Sequence, residues 1–369
     1  MACAVCQPAV QARGRNISST VHLCHTRRIE AAGTSRLRQR SASAQVCRAG
    51  VGNDTTLHLF SPCKINLFLR VERRRPDGFH DLASLFQVVS WGDDMEFEPL
   101  GSSAGADVLT CNMLDVPTDS SNLAIKALDL FRRKTGSRER YRVGLRKRVP
   151  HGAGLGGGSG NAATALWAAN QLAGRPAADD DLLAWSGEIG SDISVFFGSG
   201  CSYCTGRGEV VQDVRPVPLS TNTPLLLVKP PAGLPTPAVF KRLDLERCSR
   251  EDPLRLLQGL QGLRRASAAL CVNDLQAPAF QLLEELAEIK GRLEGSGAFD
   301  AVFMSGSGST VVGVGSDAVP DSIAAWRQDL FLAPARPVLR EEGAWYAAPA
   351  PELLRELGVS AVAQPVGGI

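Results

Sequence analysis

The sequence carries almost no net charge and contains no long apolar run. Its 369 residues include 40 lysines and arginines against 38 aspartates and glutamates, for a formal net charge of +2. That balance does not favour nucleic acid or an anionic membrane surface as a partner. No stretch reaches the ~18 uninterrupted apolar residues of a membrane-spanning helix. With 44% hydrophobic residues the chain can still bury sizeable cores, and its length favours two domains after any leader.

Acidic residues are nearly absent from residues 1–50. This segment holds eight arginines but a single acid, Glu30, and serine and alanine supply much of the rest. An arginine-rich, serine-rich and acid-poor composition is typical of an organelle transit peptide. The segment has no continuous apolar core, which argues against a secretory signal. A disordered basic tail is the alternative.

Patterns for metal or redox chemistry are sparse. Among the ten cysteines, Cys201 and Cys204 form a C-x-x-C pair, but no second pair and no nearby histidine completes a zinc site. We therefore expect buried free thiols in a reducing compartment, and the role of the pair stays open.

Glycine, in contrast, is concentrated in one stretch. Residues 150–163 read Pro-His-Gly-Ala-Gly-Leu-Gly-Gly-Gly-Ser-Gly-Asn-Ala-Ala, with six glycines in nine positions. An alanine-rich helical pattern follows over 161–173 and stops at Gly174. Glycines directly before a helix start leave free backbone N–H groups at the positive end of the helix dipole, which suits a phosphate. We expect a phosphate-binding loop, with a flexible linker as the alternative.

Two common phosphate loops do not fit this stretch. A Walker A loop would end in Gly-Lys-Ser or Gly-Lys-Thr, whereas residues 150–163 contain no lysine. A dinucleotide fingerprint would follow a strand and have an acid about 20 residues later. The acids near that distance, residues 179–181, follow Pro176 at what reads as the start of a helix over 179–189, where they complement the helix dipole.

Two other segments carry polar residues in apolar surroundings. Residues 55–71 read as a strand pair broken at 61–62, and period-two alternation puts Lys64 and Asn66 on one face. Such a pair suits an anion and a hydroxyl, or else marks a solvent-facing side. Asp192 lies in a turn among apolar residues, where its ionised form would need partners. A helix cap or turn aspartate is the alternative.

The rest of the chain alternates short strands and helices. Periodicity predicts strands over 85–89, 95–97, 142–149, 225–228, 301–304 and 311–314, a hairpin over 201–214, and helices over 122–134, 253–263, 275–293 and 320–330. A second glycine turn, Ser-Gly-Ser-Gly-Ser, occupies 305–309, and a proline-rich crossing at 230–237 lies near the expected domain boundary.

The pattern Pro-x-Gly-x-Gly-Leu-Gly-x-Gly-Ser in the glycine stretch resembles the central motif of the GHMP kinases. Three further segments agree with that family in order and spacing. They are the strand that carries Lys64 and Asn66 (the lysine strand), the turn with Asp192 and the turn at 305–309. Arg-Pro-Asp-Gly-Phe-His at 75–80 and the segment from Pro235 to Phe240 are similar to members whose substrate carries cytidine. The resemblance covers about residues 57–315.

This resemblance implies an α+β fold in two domains with the active site in the cleft between them. The N-terminal half would be similar to domain 2 of ribosomal protein S5, and the C-terminal half would be ferredoxin-like. The expected organisation is a disordered transit peptide over 1–50, the N-terminal domain with the ATP-binding loop over 51–222, the C-terminal domain over 223–349 and a weakly patterned tail over 350–369.

The resemblance also implies an activity, phosphoryl transfer from ATP to a hydroxyl of a cytidine-bearing polyol. Asp192 would accept the hydroxyl proton. Lys64 would keep Asp192 ionised and stabilise charge on the transferred group, and Asn66 would orient the polyol. His80 would read the cytosine edge, with Phe79 and Phe240 on either side of the ring.

Further site residues follow from the same resemblance, with Thr236 assigned to the substrate. The implied ATP-binding residues are Pro150, Gly152, Gly154, Leu155, Gly156, Gly157, Gly158, Ser159, Gly160, Asn161, Asn122 and Lys147. Of these, Asn122 and Lys147 would lie near the adenine and ribose. Mg²⁺ is expected from the chemistry, with Ser159 and Asp192 as candidate ligands.

Two departures from the family pattern affect these roles. Gly160 stands where many relatives have a second serine, and Phe79 stands where bacterial relatives often have tyrosine. The alternatives are a family member acting on homoserine or mevalonate, or a catalytically silent binder of nucleotide or sugar. Together with the leader, the resemblance implies a plastid, although the leader alone would also fit a mitochondrion. A monomer and a homodimer are both left open.

Overall fold

The computed structural model describes residues 56–349. The transit peptide predicted over 1–50 and the tail predicted over 350–369 lie outside the described residues. In the described part of the chain, no helix is both long and apolar enough to cross a membrane.

A six-stranded sheet forms the first half of the fold. Its strands are β1 (Leu57–Arg74), β2 (His80–Pro99), β3 (Val108–Cys111), β4 (Tyr141–Arg146), β5 (Cys201–Gly206) and β6 (Val210–Asp213). The long β2 pairs with β1 along one edge and with β5 and then β4 along the other. All pairs are antiparallel except β3 with β4, which are parallel.

Two expected strand breaks are wrong, because β1 and β2 both continue past the same bulge in their pairing, at which Ser90 and Trp91 of β2 are the extra residues. β1 continues through residues 61–62, where the register with β2 shifts between Pro62 and Cys63. β2 likewise continues through residues 92–94, although Gly92-Asp93-Asp94 reads as a turn in the sequence. A bulge inserts an extra residue and bends a strand without ending it.

Helices α1 (Leu123–Thr135) and α2 (Gly157–Leu172) pack on this sheet, and α3 (Asp179–Ser186) follows them. α2 begins four residues before the predicted start, so several glycines of the motif are helical. Every residue of α2 from Gly160 to Asn170 is buried. A helix that is apolar all round must be covered by protein on every side. The small alanine side chains allow neighbouring elements to pack close to α2.

A four-stranded antiparallel sheet forms the second half, in the order β10-β7-β9-β8. Its strands are β7 (Leu225–Lys229), β8 (Ala301–Met304), β9 (Val311–Val314) and β10 (Phe331–Ala335). Its helices are α4 (Thr236–Lys241), α5 (Pro253–Leu263), α6 (Gln276–Leu282), α7 (Glu285–Gly295) and α8 (Asp321–Ala324). Apolar residues of both sheets meet in one buried cluster, which fixes the two halves against each other.

Several elements of the second half also differ from those predicted from the sequence. The helix predicted over 275–293 is two helices, because Leu283 has a non-helical backbone with φ −145° and ends α6. The helix predicted over 320–330 is only α8, and β10, β3 and α4 were not predicted as elements. The last described residues leave this sheet and return to the first, where the backbone N–H of Val338 donates to the carbonyl of Val88 at 2.9 Å.

Candidate active site

A cavity of about 630 Å³ lies where β1, the glycine stretch, the start of α2 and the turn at 305–309 meet. β1 is buried along most of its length on both faces. Lys64 and Asn66 are themselves buried and line this cavity, so the solvent-facing alternative for the lysine strand is wrong.

Lys64 lies at the centre of the cavity wall. Its side chain is 3% exposed, and its Nζ lies 3.2 Å from Oδ2 of Asp192. The same ammonium donates to Oδ1 of Asn66 at 2.9 Å and to the carbonyl of Gly154 at 3.1 Å. A lysine from β1, an aspartate from a distant turn and the glycine loop thus meet at one point.

Asn66 is held on both sides of its amide. Its Nδ2 donates to Oγ of Ser84 at 2.8 Å, and Ser84 in turn donates to the carbonyl of Phe68 at 2.7 Å. With Oδ1 bonded to Lys64, the amide orientation is fixed, and so is the ammonium of Lys64. Ser84 was missed as a site residue, because in the sequence it reads as an ordinary strand residue.

The loop before α2 has a backbone shape that glycine makes accessible. Gly154 has φ +74° and Gly156 has φ +65°. A Cβ on Gly154 would lie 2.2 Å from the carbonyl oxygen of Ser305. The turn at 305–309 therefore presses directly on the loop, and Oγ of Ser305 donates to the carbonyl of Gly154 at 3.1 Å.

The first turn of α2 faces the cavity with its backbone donors. Gly157, Gly158 and Ser159 line the cavity, and the helix has no side-chain cap and no acid in its first turn. Uncapped N–H groups at a helix start form a favourable place for a phosphate. Gly160, by contrast, does not line the cavity, because it packs against β1. A Cβ there would lie 2.3 Å from the carbonyl oxygen of Pro62.

The residues expected near adenine and ribose occupy two different positions. Asn122 caps α1, with Oδ1 accepting from the backbone N–H of Ala124 at 2.9 Å, and it lines the cavity rim. Lys147 also reaches the cavity, but its side chain is 5% exposed and its Nζ contacts Asp93 at 2.6 Å.

A second cavity, of about 1000 Å³, adjoins the first and shares Asp192, Arg207, Thr236 and Phe240 with it. His80 and Phe240 stack here, with ring centroids 5.1 Å apart and planes at 24°. Phe79 is 57% exposed. The structure brings the three rings to one cavity, but His80 itself covers one face of Phe240.

Polar groups complete this second cavity. The guanidinium of Arg207 lies 5.3 Å from the Phe79 ring centroid, and Oγ1 of Thr236 lies 2.8 Å from Oγ of Ser307. Burial, and secondarily the charge of Arg74, hold the pKa of His80 below its usual value of 6.5. His80 is therefore neutral at pH 7 and can offer one donor and one acceptor. Arg207 and Ser307 were missed as site residues, although each lies in a glycine turn visible in the sequence.

Cys201 and Cys204 do not form a metal or redox pair. Residues three apart on a strand point to opposite faces, and the two cysteines belong to different buried clusters. Burial raises the pKa of the Cys201 thiol to about 12 and also raises that of Cys204. The expectation of buried free thiols is confirmed for this pair, and among the other described cysteines Cys63 and Cys271 are buried, whereas Cys111 and Cys248 are half-buried.

Comparison with known proteins assigns this architecture to a family. Residues 122–200 match the N-terminal domain of the GHMP kinases, and residues 254–329 match the GHMP kinase C-terminal domain. Over 299 residues the chain is 53% identical to the chloroplastic 4-diphosphocytidyl-2-C-methyl-D-erythritol kinase of Oryza sativa subsp. japonica, covering 80% of this chain and 74% of that protein.

Solved structures agree with this assignment. A crystal structure of 4-(cytidine 5'-diphospho)-2C-methyl-D-erythritol kinase matches with a TM-score of 0.59 at 30% identity, covering 76% of this chain and 99% of that one. A homoserine kinase from Cytophaga hutchinsonii has a TM-score of 0.61 over 79% of this chain and 97% of its own, but at 16% identity it shares the fold alone. The two-domain α+β fold expected from the resemblance is confirmed. This chain belongs to the GHMP kinases and, within them, to the 4-diphosphocytidyl-2-C-methyl-D-erythritol kinases.

Proposed function

We propose that this chain transfers the γ-phosphoryl group of ATP to the 2-hydroxyl of 4-diphosphocytidyl-2-C-methyl-D-erythritol, giving the 2-phosphate and ADP. The observation that carries the proposal is the pair of joined cavities. One brings Lys64 and Asp192 to the glycine loop, and the other presents aromatic rings suited to a base. The reaction belongs to the non-mevalonate route of isoprenoid biosynthesis.

The transfer needs positioning and charge neutralisation more than covalent catalysis. The acceptor oxygen forms a bond to the γ-phosphorus as the bond from that phosphorus to the β–γ bridging oxygen breaks, and ADP leaves. In our proposal, Asp192 accepts the proton of the acceptor hydroxyl. Lys64 stabilises negative charge on the transferred group, and Asn66 fixes Lys64 beside the polyol.

The triphosphate would bind the backbone N–H groups of the glycine loop and of the first turn of α2. The two candidate Mg²⁺ ligands, Ser159 and Asp192, both line the same cavity. In the described residues, no group of three or more histidines, cysteines or acids could hold a metal ion. That donor set fits a Mg²⁺ ion carried mainly by phosphate oxygens and water, as is usual at nucleotide sites. When bound, the ion would neutralise phosphate charge.

Cytidine recognition would fall to the second cavity. A neutral His80 can donate to one atom of the cytosine edge and accept from the exocyclic amine, and Phe79 and Phe240 offer faces for stacking. Thr236 would contact the same substrate from α4. Homoserine and mevalonate have no base, so a kinase acting on either of them would not need these aromatic rings.

ADP release tests the proposal. A chain starting near residue 51 would be supplied with Mg-ATP and, separately, the cytidyl substrate, homoserine and mevalonate. We expect turnover with the cytidyl substrate alone. Turnover with homoserine or mevalonate instead would overturn the substrate assignment, and ATP binding without turnover on any acceptor would favour the silent binder.

A plastid location is part of the proposal. The relative from Oryza sativa is chloroplastic, and the arginine-rich segment over 1–50 fits an import signal. Fusion of residues 1–50 to a fluorescent protein should direct it to chloroplasts. Accumulation in mitochondria or cytosol would contradict this.

A further inference from the structure

We propose that Asp93 is a positioning residue for nucleotide binding, which holds the ammonium of Lys147 beneath the first turn of α2 so that its charge acts on the phosphates of ATP. The inference rests on the proposed use of ATP. In the sequence Asp93 reads as part of a turn between two strands, and nothing there indicates a role for its carboxylate.

Asp93 is fully buried, and four donors converge on it. Its Oδ2 accepts from Nζ of Lys147 at 2.6 Å and from Nδ2 of Asn161 at 2.9 Å. Its Oδ1 accepts from the backbone N–H groups of Arg148 at 2.7 Å and Val149 at 2.8 Å. One carboxylate therefore joins β2, the entrance of the glycine loop and the body of α2.

The ammonium of Lys147 lies beside the first residue of α2. A Cβ built on Gly157 would lie 3.2 Å from its Nζ, which also donates to Oδ1 of Asn161 at 3.2 Å. Asn112 fixes the backbone of Lys147 from both sides, accepting from its N–H at 2.7 Å and donating to its carbonyl at 3.1 Å. These contacts hold both the backbone and the ammonium of Lys147, and they therefore fix the position of its charge.

This position determines which part of the nucleotide the charge would meet. The family resemblance puts Lys147 near adenine and ribose, whereas its ammonium lies at the helix start, where phosphates bind. A buried ammonium without a partner would be costly, and Asp93 offsets that cost while leaving the ammonium at the cavity wall. Interactions between charges at this depth are screened much less than those at the surface.

The test compares ligands that differ in their number of phosphates. Calorimetric titration with Mg-ATP, Mg-ADP and adenosine would be carried out on the wild type, on Asp93→Asn and on a matched control, Asp94→Asn. Asp94 is the next residue, and it pairs with Arg148 while its side chain is 47% exposed. We expect Asp93→Asn to weaken ATP binding by about tenfold or more, ADP binding by less, and adenosine binding by under about twofold. Asp94→Asn should change none of the three by more than about twofold.

Two outcomes would overturn the proposal. ATP affinity in Asp93→Asn within about twofold of the wild type would remove Asp93 from nucleotide binding, and equal losses for ATP and adenosine would reduce it to a structural role. Should Asp93→Asn not fold, Lys147→Arg, which keeps the charge but moves it, would be tested by the same comparison. The titrations use no acceptor, so a wild type that binds ATP as described but phosphorylates nothing would contradict the proposed function and leave this inference standing.

Discussion

The side chain on which the proposed chemistry depends most is Asp192, and Asp192→Asn changes little besides its charge. The amide is nearly isosteric, and Lys64 keeps its bonds to Asn66 and Gly154. We expect turnover to fall by at least about 10²-fold, the lower range for loss of a general base, while ATP still binds. Rapid-quench or ADP-release kinetics beside ATP titration would measure both quantities.

A matched control for this variant is Asp180→Asn. Asp180 is exposed in the first turn of α3 and lines neither of the two site cavities, so its loss should leave turnover within about twofold of the wild type. Turnover of Asp192→Asn close to that of the control would exclude a proton-accepting role for Asp192.

His80 gives a pH dependence whose sign follows from its lowered pKa. The neutral form is present above that pKa, which lies below 6.5, and it can accept from the amine of cytosine. Protonation replaces this acceptor with a second donor. As the pH falls through this lowered pKa, we therefore expect the KM of the cytidyl substrate to rise while the KM of ATP changes less.

His80→Gln is the control for this pH profile. Glutamine keeps one donor and one acceptor but does not titrate, so its acid-side rise in acceptor KM should be absent. A rise of the same size in wild type and His80→Gln would assign the effect to another group.

At the scale of an element, α2 offers two glycines that separate packing from helix propensity. A Cβ at Gly160 would lie 2.3 Å from the carbonyl oxygen of Pro62, whereas a Cβ at Gly158 would first meet Leu123 at 3.6 Å. Gly160→Ala should lower the free energy of unfolding by about 1–3 kcal/mol, because β1 must move. Gly158→Ala should leave it unchanged or raise it by up to about 1 kcal/mol.

Urea denaturation of both variants would measure this difference as a shift in the midpoint of the first unfolding transition. Equal stabilities would show that β1 adjusts to the added methyl group at no cost. The result would also show whether the position of Gly160, which packs a helix on a strand and does not line the cavity, tolerates a side chain.

The same elements show how far the sequence predicts the structure. The glycine stretch and the helix after it are local, so their pattern was sufficient to predict a phosphate loop. The continuation of β1 and β2 past their shared bulge was not predictable, because a proline or a Gly-Asp-Asp run looks the same beside a bulge as in a turn. Lys64 and Asp192 are far apart in sequence, and only the family resemblance, not their spacing, indicated that they meet. Nothing local distinguished Asp93 from an ordinary turn aspartate.

For the molecule as a whole, the segment over 336–346 connects the second sheet back to the first. Arg340 pairs with Asp179 at 3.0 Å, and the backbone N–H of Arg336 donates to Oγ of Ser90 at 2.9 Å. These residues were expected to belong to the C-terminal domain, but the segment packs on the first half of the fold. The segment makes polar contacts with the first half at several points along its length, and these contacts hold it against the first sheet.

Trp345 anchors this segment, and its removal is the last prediction. The side chain is 4% exposed, its Nε1 donates to the carbonyl of Phe60 at 2.9 Å, and its ring lies 5.5 Å from that of Trp167. Trp345→Ala should lower the free energy of unfolding of the first half by about 3–5 kcal/mol. Leu339→Ala, in the same segment but 37% exposed, should cost under about 1 kcal/mol. Hydrogen exchange would localise the effect, because loss of the anchor should speed exchange in β2 and not in β7. Equal acceleration in both strands would mean that the two halves unfold as one unit, and that the segment stabilises the whole molecule through their shared core.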